Sequence, residues 1–174
     1  MRIEEITVEV RDSNFDRQGL IQPIDLATFK AVLRFNNVGT WEITLPVGHP
    51  MGELLRLPGS GIIVTGPDGV VLSGPTIAAT NVKTAENPNG DWEIRGVDDS
   101  QLLGERLAYP YPVSADVKNQ LNAYDTRRGL ASTVMYGYVK ANIGSLAPTV
   151  RKVPNLVCAA DTGFGSNTYP SARF

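Results

Sequence analysis

Apolar and polar residues alternate most clearly between Phe29 and Pro46. The apolar members are Phe29, Ala31, Leu33 and Phe35 in a first run and Trp41, Ile43 and Leu45 in a second, separated by the break Asn36-Asn37-Val38-Gly39. A period of two gives a strand one buried face and one wet face. The pattern therefore predicts a β-hairpin in which Phe35 and Trp41 hold a sheet wall together.

Similar runs predict further strands in the first hundred residues. They lie at Ile6–Val10, Gly61–Thr65, Val70–Ser73, Ile77–Lys83 and Trp92–Gly96. Helical spacing predicts a short helix over Met51–Leu57, ended by Pro58-Gly59. Short connections between sequential strands are typical of antiparallel sheets that hide their edges. We therefore predict a β-rich α+β protein that begins with a small β-barrel or two-layer sandwich.

The pattern changes after Val97. Asp98 or Asp99 can cap a short helix, and the run Tyr109-Pro110-Tyr111-Pro112 cannot continue one. We place a domain boundary there, with residues 1–108 in the first domain and 109–174 in a second, partial one. The second domain is predicted to hold one long helix, about 126–142, and a strand at 153–160. Its last residues look like a strand just starting, so we expect the chain to continue or to lean on partner chains.

Composition and charge narrow the class of protein. The formal charge of −2 is spread along 174 residues, which gives no electrostatic footprint for nucleic acid. Cys158 is the only cysteine, so an intrachain disulfide and a multi-cysteine zinc site are excluded, and we expect a small buried thiol. No apolar run approaches the length of a signal peptide core or a membrane span. Synthesis and folding in a cytoplasm follow as an expectation.

Candidate catalytic groups are sparse. His49 is the only histidine, and no Gly-x-Ser-x-Gly elbow accompanies it, so we expect a structural role. Asp98 and Asp99 could be paired acids for glycoside hydrolysis, but adjacent side chains tend to point apart and a helix cap explains one of them. The Gly59–Gly61 stretch lacks the Gly-Lys-Ser/Thr of a phosphate loop. We predict no catalytic residue and no cofactor.

Three further features have a functional and a structural interpretation. The glycine-rich loop from Asp161 to Asn167 offers oxygen donors but lacks the acidic ladder of a calcium loop, so a plain turn is preferred. Tyr109 and Tyr111 could stack on a sugar or base, or could lie over a domain junction. Arg127 and Arg128 fall at the start of the predicted long helix, where the helix dipole disfavours positive charge. Unless Asp125 offsets them, they indicate an intersubunit contact.

Several blocks together resemble a known family. They are residues 32–46, 54–64, 72–75 (Leu-Ser-Gly-Pro), 96–99 (Gly-Val-Asp-Asp), 106–110, 124–129 (Tyr-Asp-Thr-Arg-Arg-Gly), 138–144 and the closing Ser-Ala-Arg-Phe. In this order they resemble the minor tail proteins of long-tailed actinobacteriophages, which are similar to tail-hub or baseplate-hub proteins. The resemblance covers essentially the whole chain.

The resemblance implies a structural role. It implies a tail-tube-like β-barrel, a homo-oligomer that is usually a trimer, and docking to the distal tail protein ring, to other tail-tip proteins and to the tape measure protein. It places the protein in the virion, at the tail tip, and supplies no catalytic residues. Structural or interface candidates are Phe35, Trp41, Trp92, Tyr109, Tyr111, Arg127 and Arg128.

Other functions remain open from the sequence. One is a carbohydrate-binding or receptor-binding tail module, which would need an exposed row of aromatic rings. Another is the non-catalytic N-terminal part of a tail-associated cell-wall hydrolase. A tail-tube or distal-ring protein would share the barrel but would assemble as a hexamer.

Overall fold

A computed structural model describes residues 6–35, 37–106 and 108–172. The chain forms two compact units, Met1–Leu103 and Gly104–Phe174. The boundary predicted from the sequence lies at residue 108, and that of the structure lies after Leu103.

Unit 1 contains one seven-stranded antiparallel sheet. Its strands are β1 (Thr7–Arg11), β2 (Arg17–Ile21), β3 (Lys30–Val32), β4 (Thr40–Pro46), β5 (Gly61–Gly66), β6 (Gly69–Val82) and β7 (Asp91–Val97). The strand order is β2-β1-β5-β6-β7-β4-β3. A 3-10 helix over Pro23–Thr28 precedes β3, and helix α1 (Pro50–Leu55) follows β4. The β-rich α+β class is confirmed.

The long strand β6 joins two halves of the sheet. Its first part pairs with β5 as far as Pro75, and its second part, Thr76–Val82, pairs with β7. Strands β2 and β3 therefore lie at the two ends of the sheet. No ladder among the described residues joins β2 to β3, so the sheet does not close. Of the two predicted alternatives, barrel or sandwich, the closed barrel is therefore excluded.

One hydrophobic core collects side chains from both halves of the sheet. Its members are Val8, Val10, Ile21, Leu26, Trp41, Ile43, Leu45, Leu55, Ile62, Val64, Leu72 and Ile94. The 3-10 helix contributes Leu26 and α1 contributes Leu55, so both short helices cover the same side. The alternation in β4 and β7 is what places apolar residues on this side.

The hairpin predicted at 29–46 exists, but only its second arm is buried as predicted. Trp41, Ile43 and Leu45 are buried, whereas Leu33 is 57% exposed and Phe35 is fully exposed at 102%. The prediction that Phe35 belongs to the core is therefore wrong. Strand β3 ends at Val32 and lies at a sheet end, so the residues after it have no neighbouring layer to pack against.

Strand β2 was not predicted from the sequence. Its residues, Arg-Gln-Gly-Leu-Ile, do not alternate, and Leu20 remains 43% exposed. The strand forms because the preceding turn returns the chain onto β1. In that turn the Asp12 carboxylate accepts the backbone N–H groups of Asn14 at 2.8 Å and Asp16 at 3.0 Å.

Unit 2 is built around one longer helix. Helix α2 (Gln101–Glu105) includes the last residues of unit 1 and the first residues of unit 2. The later elements are β8 (Asp125–Thr126), β9 (Gly129–Leu130), α3 (Ala131–Asn142), β10 (Asn167–Thr168) and β11 (Ser171–Ala172). Two short ladders pair β9 with β10 and β8 with β11. The buried apolar residues are Val134, Ala141, Ile143 and Val153.

Two predictions for unit 2 are corrected. Helix α3 begins at Ala131 and not at 126, because residues 125–130 pair with the segment near the end of the chain. Residues 153–160 form no strand in the described chain. Instead the backbone N–H of Val153 donates to the carbonyl of Ile143 at 2.8 Å, which closes a loop after α3.

Candidate functional site

Two strand edges in the second half of the sheet lack a ladder partner among the described residues. Strand β3 pairs with β4 alone, and β6 beyond Thr76 pairs with β7 alone. They are the opposite edges of a four-stranded segment ordered β6-β7-β4-β3. Val32 on one edge is 51% exposed and Ile77 on the other is 61% exposed. Open edges of this kind offer backbone groups and apolar side chains to another chain.

The solvent face between these edges forms a shallow trough of about 510 Å³. It is lined by Lys30, Val32, Thr40, Trp41, Glu42, Ile77, Arg95 and Gly96. In the strand register, Glu42 lies between Lys30 and Arg95. The Arg95 guanidinium approaches the Glu42 carboxylate at 3.7 Å and that of Glu93 at 3.4 Å. Charges of both signs with apolar ends suit a protein partner better than a polyanion.

Trp41 lines the trough but also belongs to the hydrophobic core of unit 1. Only 2% of its surface is exposed, and it faces Gly96 across the β4–β7 ladder. Thr76 faces Gly96 from the other neighbouring strand. The Trp41 Nε1 and the Thr76 Oγ1 are both buried without a hydrogen-bond partner in the described structure. Trp41 therefore acts as a packing residue whose polar atom is not used within this unit.

Trp92 belongs to a surface cluster at the other end of β7. Its indole Nε1–H donates to the Glu53 carboxylate at 3.3 Å, and the Arg56 guanidinium stacks over its ring at 3.7 Å. Glu53 also pairs with Arg56 at 2.5 Å. One face of the Trp92 ring is thus covered by an arginine of α1, and a sugar cannot use that face as a stacking platform.

His49 has a structural role at the start of α1. Its Nδ1 accepts the backbone N–H of Met51 at 3.2 Å, which caps the helix. Its Nε2 lies 3.3 Å from the Asp25 carboxylate. The contacts described for His49 include no serine, so the geometry gives it no nucleophile to activate.

Asp98 and Asp99 bind different parts of unit 1. Asp98 accepts hydrogen bonds from the backbone N–H of Gly39 and from the backbone and hydroxyl of Ser100. Partial burial raises the pKa of Asp98, but the hydrogen bonds from Ser100 and Gly39 outweigh it and lower the pKa below its ordinary 3.8. Asp99 instead pairs with Arg11 at 2.6 Å. The two carboxylates thus serve separate structural contacts, and no paired-acid geometry results.

Arg11 is a buried structural residue that no pattern in the sequence marked. Its side chain is 2% exposed, although it belongs to β1. Besides Asp99, it stacks over the ring of Phe15 at 4.1 Å. Burial lowers the pKa of Arg11, while Asp99 and Asp12 oppose that shift. An arginine ending a strand normally points to solvent, so its partner 88 residues away could be found only in three dimensions.

Tyr109 and Tyr111 lie in unit 2, in an irregular segment that we call the strap, residues 109–114. The backbone N–H of Tyr109 donates to the Asn142 side chain at 2.9 Å, and that of Tyr111 donates to Gln120 at 2.8 Å. The Arg151 guanidinium lies 4.1 Å from the centre of the Tyr109 ring. Both tyrosines are half-buried, so they form no exposed aromatic row.

Arg127 and Arg128 precede α3 and have different surroundings. Arg127 donates from Nε at 3.0 Å and from Nη2 at 2.8 Å to the Asp125 carboxylate, and it stacks on Tyr138 at 4.8 Å. Arg128 stacks on Tyr169 at 5.0 Å and forms no ion pair among the described residues. Asp125 thus neutralises the charge of Arg127. The prediction that Arg127 and Arg128 lie at the start of the long helix is wrong, because α3 begins at Ala131.

The glycine-rich loop after Asp161 is attached to the start of α3. The Asp161 carboxylate accepts the Ser132 hydroxyl and the Gly163 backbone N–H, each at 3.0 Å. Hydrogen bonds from Thr133, Gly163 and Ser132 lower the pKa of Asp161. Within the described ranges, no group of three potential metal-ligating side chains occurs. The single cysteine, Cys158, is half-buried, whereas the sequence predicted a buried thiol.

Comparison with known proteins identifies the family to which the chain belongs. The model of the Siphovirus ReqiPepy6 Gp37-like protein family matches residues 7–174. The chain belongs to this family. A search of curated proteins gives no match. For this siphovirus protein, the family supports a phage structural role, which agrees with the predicted resemblance at that level. No helix in the described part of the chain has the length and apolar character to cross a membrane.

Proposed function

We propose that this siphovirus protein is a non-enzymatic hub component of the phage tail tip. In this proposal it caps the tail tube, docks to the distal tail protein ring and contacts other tail-tip proteins and the tape measure protein. The observation that carries the proposal is the match to a siphovirus family along nearly the whole chain. The order of sequence blocks that resembles tail-hub proteins supports the finer assignment.

The open edges of β3 and β6 support self-assembly. They lie on opposite sides of the same four-stranded segment, so contact between them would join copies head to tail. Head-to-tail contacts generate rings when the rotation closes. We propose a homotrimer, whose three-fold symmetry would meet a six-fold ring above it.

The aromatic surfaces give little support to a carbohydrate-binding module. Trp92 and Tyr109 each have an arginine over a ring face, and Tyr111 is half-buried. No other observation favours that function over the hub, or favours the non-catalytic part of a cell-wall hydrolase.

The test is the mass and symmetry of the purified full chain, alone and with the distal tail protein. Mass photometry and electron microscopy should show a trimer that binds below a six-fold ring. A hexamer of this chain alone would indicate a tube or ring protein instead. A monomer that binds cell-wall oligosaccharides and not the distal ring would overturn the hub proposal.

A further inference from the structure

Arg151 in unit 2 is a buried arginine with incomplete partners. Its side chain is 9% exposed. Its Nη2 donates to the carbonyl oxygens of Pro112 and of Ser114, the latter at 3.2 Å. Its Nε and Nη1 are buried and have no hydrogen-bond partner in the described structure. No carboxylate of the described residues forms an ion pair with it.

Arg11 in unit 1 is a second buried arginine, and it differs from Arg151 in having a carboxylate partner, although its Nε is also buried without a hydrogen-bond partner in the described structure. Both arginines are buried, and both stack on an aromatic ring at 4.1 Å. Arg11 also has the Asp99 carboxylate at 2.6 Å. A buried guanidinium is strongly destabilising unless a negative group compensates the loss of hydration. Among the described residues, Arg151 therefore has an aromatic ring and burial like those of Arg11 but no carboxylate partner.

The strap is an irregular segment that lies against the Arg151 guanidinium. Residues 109–114 have no helix or strand, and Val113 within them is 66% exposed. The strap supplies only neutral carbonyl acceptors to the guanidinium. An arginine binds a carboxylate more strongly than a neutral carbonyl, because both partners are charged and the guanidinium can donate two parallel hydrogen bonds. A carboxylate can therefore compete with the strap carbonyls for the guanidinium.

We propose that Arg151 is a carboxylate-binding site, occupied by an acidic side chain of another polypeptide or by a free small carboxylate. The guanidinium binds the carboxylate through its unpartnered nitrogens, and Tyr109 covers its face. This inference goes beyond the hub proposal, because it requires no particular oligomer or tail position.

The test uses the full chain and sodium acetate as the probe, with sodium chloride at matched ionic strength. The Arg151 Nε–H resonance, assigned by its loss in Arg151→Lys, should shift saturably with acetate. The Arg11 Nε–H resonance is the internal control and should stay in place, because Asp99 already holds that guanidinium. An unmoved Arg151 signal, or equal movement of both signals, would overturn the proposal.

Thermal unfolding followed by tyrosine absorbance gives a second readout. Acetate at ten times its Kd should raise the midpoint of unit 2 by about 8 °C over chloride. Arg151→Met should lose this difference, and its persistence in that variant would contradict the site. If Arg151→Met does not fold, the wild-type resonance titration decides alone.

A dilution series distinguishes the source of the carboxylate. If another copy supplies it, the Arg151 resonance moves with protein concentration and acetate lowers the oligomer mass. If the ligand is a free carboxylate, the resonance is independent of protein concentration and responds to acetate alone. A resonance that responds to neither variable would exclude both sources.

Discussion

The indole ring of Trp41 lies directly against Gly96, the residue opposite it in the antiparallel register of β4 and β7. A Cβ added to Gly96 would overlap the Trp41 ring and also the carbonyl oxygen of Pro75. The close approach needs a residue without a side chain at that position. Sequence patterns place Trp41 and Gly96 on separate strands, but they do not predict that the two residues lie against each other.

Gly96→Ala should destabilise unit 1 by about 2 kcal/mol, because a methyl group forced into a packed core displaces its neighbours. Denaturant unfolding followed by tryptophan fluorescence measures this, since both tryptophans, Trp41 and Trp92, belong to unit 1. Gly52→Ala is the control within unit 1, because a Cβ there would make only ordinary contacts with Leu45 at 3.6 Å and His49 at 3.7 Å. Equal effects of the two substitutions would contradict the proposed packing.

Trp41→Ala and Phe35→Ala should differ strongly although both residues were predicted to be core. Trp41→Ala should cost about 3 to 5 kcal/mol of unfolding free energy, because it leaves a large cavity. Phe35→Ala should change that free energy by less than about 0.5 kcal/mol, because its side chain is fully exposed. Urea titration measures both. A large loss on replacing Phe35 in the isolated chain would show that it is buried in solution.

Removing the carboxylate of the Arg11–Asp99 ion pair should lower the free energy of unfolding of unit 1, because it leaves a buried positive charge without its partner. Asp99→Asn should destabilise unit 1 by about 3 kcal/mol, because it leaves Arg11 charged and 2% exposed without its carboxylate. Arg11→Met should cost less, because an apolar chain can occupy the same space. Arg17→Met, which breaks the more exposed pair with Glu9, is the control and should cost about 0.5 kcal/mol. Guanidinium unfolding of all three tests the order, and a reversed order would argue against it.

Asp98 should contribute to stability in a pH-dependent way. Because its folded pKa is lowered, its ionised form stabilises unit 1 above the ordinary value of 3.8, and this contribution is lost as the pH falls through the lowered pKa. Asp98→Asn should therefore be less stable than wild type at pH 7, with the difference shrinking below pH 3.8. Asp68→Asn controls for removing one negative charge. Tryptophan-detected unfolding at several pH values is the measurement, and a constant difference would refute the expectation.

Charge reversal at Arg127 and at Arg128 should affect the stability of unit 2 to different extents. Arg127→Glu should destabilise unit 2 by about 2 kcal/mol, because it loses two charged hydrogen bonds and faces Asp125 with like charge. Arg128→Glu should change that stability by less than about 0.5 kcal/mol. All six tyrosines lie in unit 2, so tyrosine near-ultraviolet signals report its unfolding. A comparable loss for both variants would show that Arg128 also has an internal partner.

The oligomer mass of Arg128→Glu then tests the predicted intersubunit contact. A lower mass without loss of unit 2 stability would support that contact. An unchanged mass would remove Arg128 from the interface candidates.

Local patterns predicted much of unit 1. The alternation in β4 and β7, the turn between β5 and β6, and the helical spacing in α1 each correspond to an element of the fold. Strand β2 and the exposed first arm of the hairpin did not follow from pattern. In both cases the position of the strand at a sheet end decided which residues were covered, and strand position is a property of the whole sheet.

The sequence by itself determined the β-rich class, the buried arm around Trp41 and the match to a siphovirus family. Tertiary structure alone decided that the sheet stays open, that Phe35 is exposed and that Arg11 meets Asp99. The physical reason is that alternation encodes which residues share a face of one strand. Alternation does not encode which distant strand or charged side chain will contact that face, because such contacts depend on strand order and register.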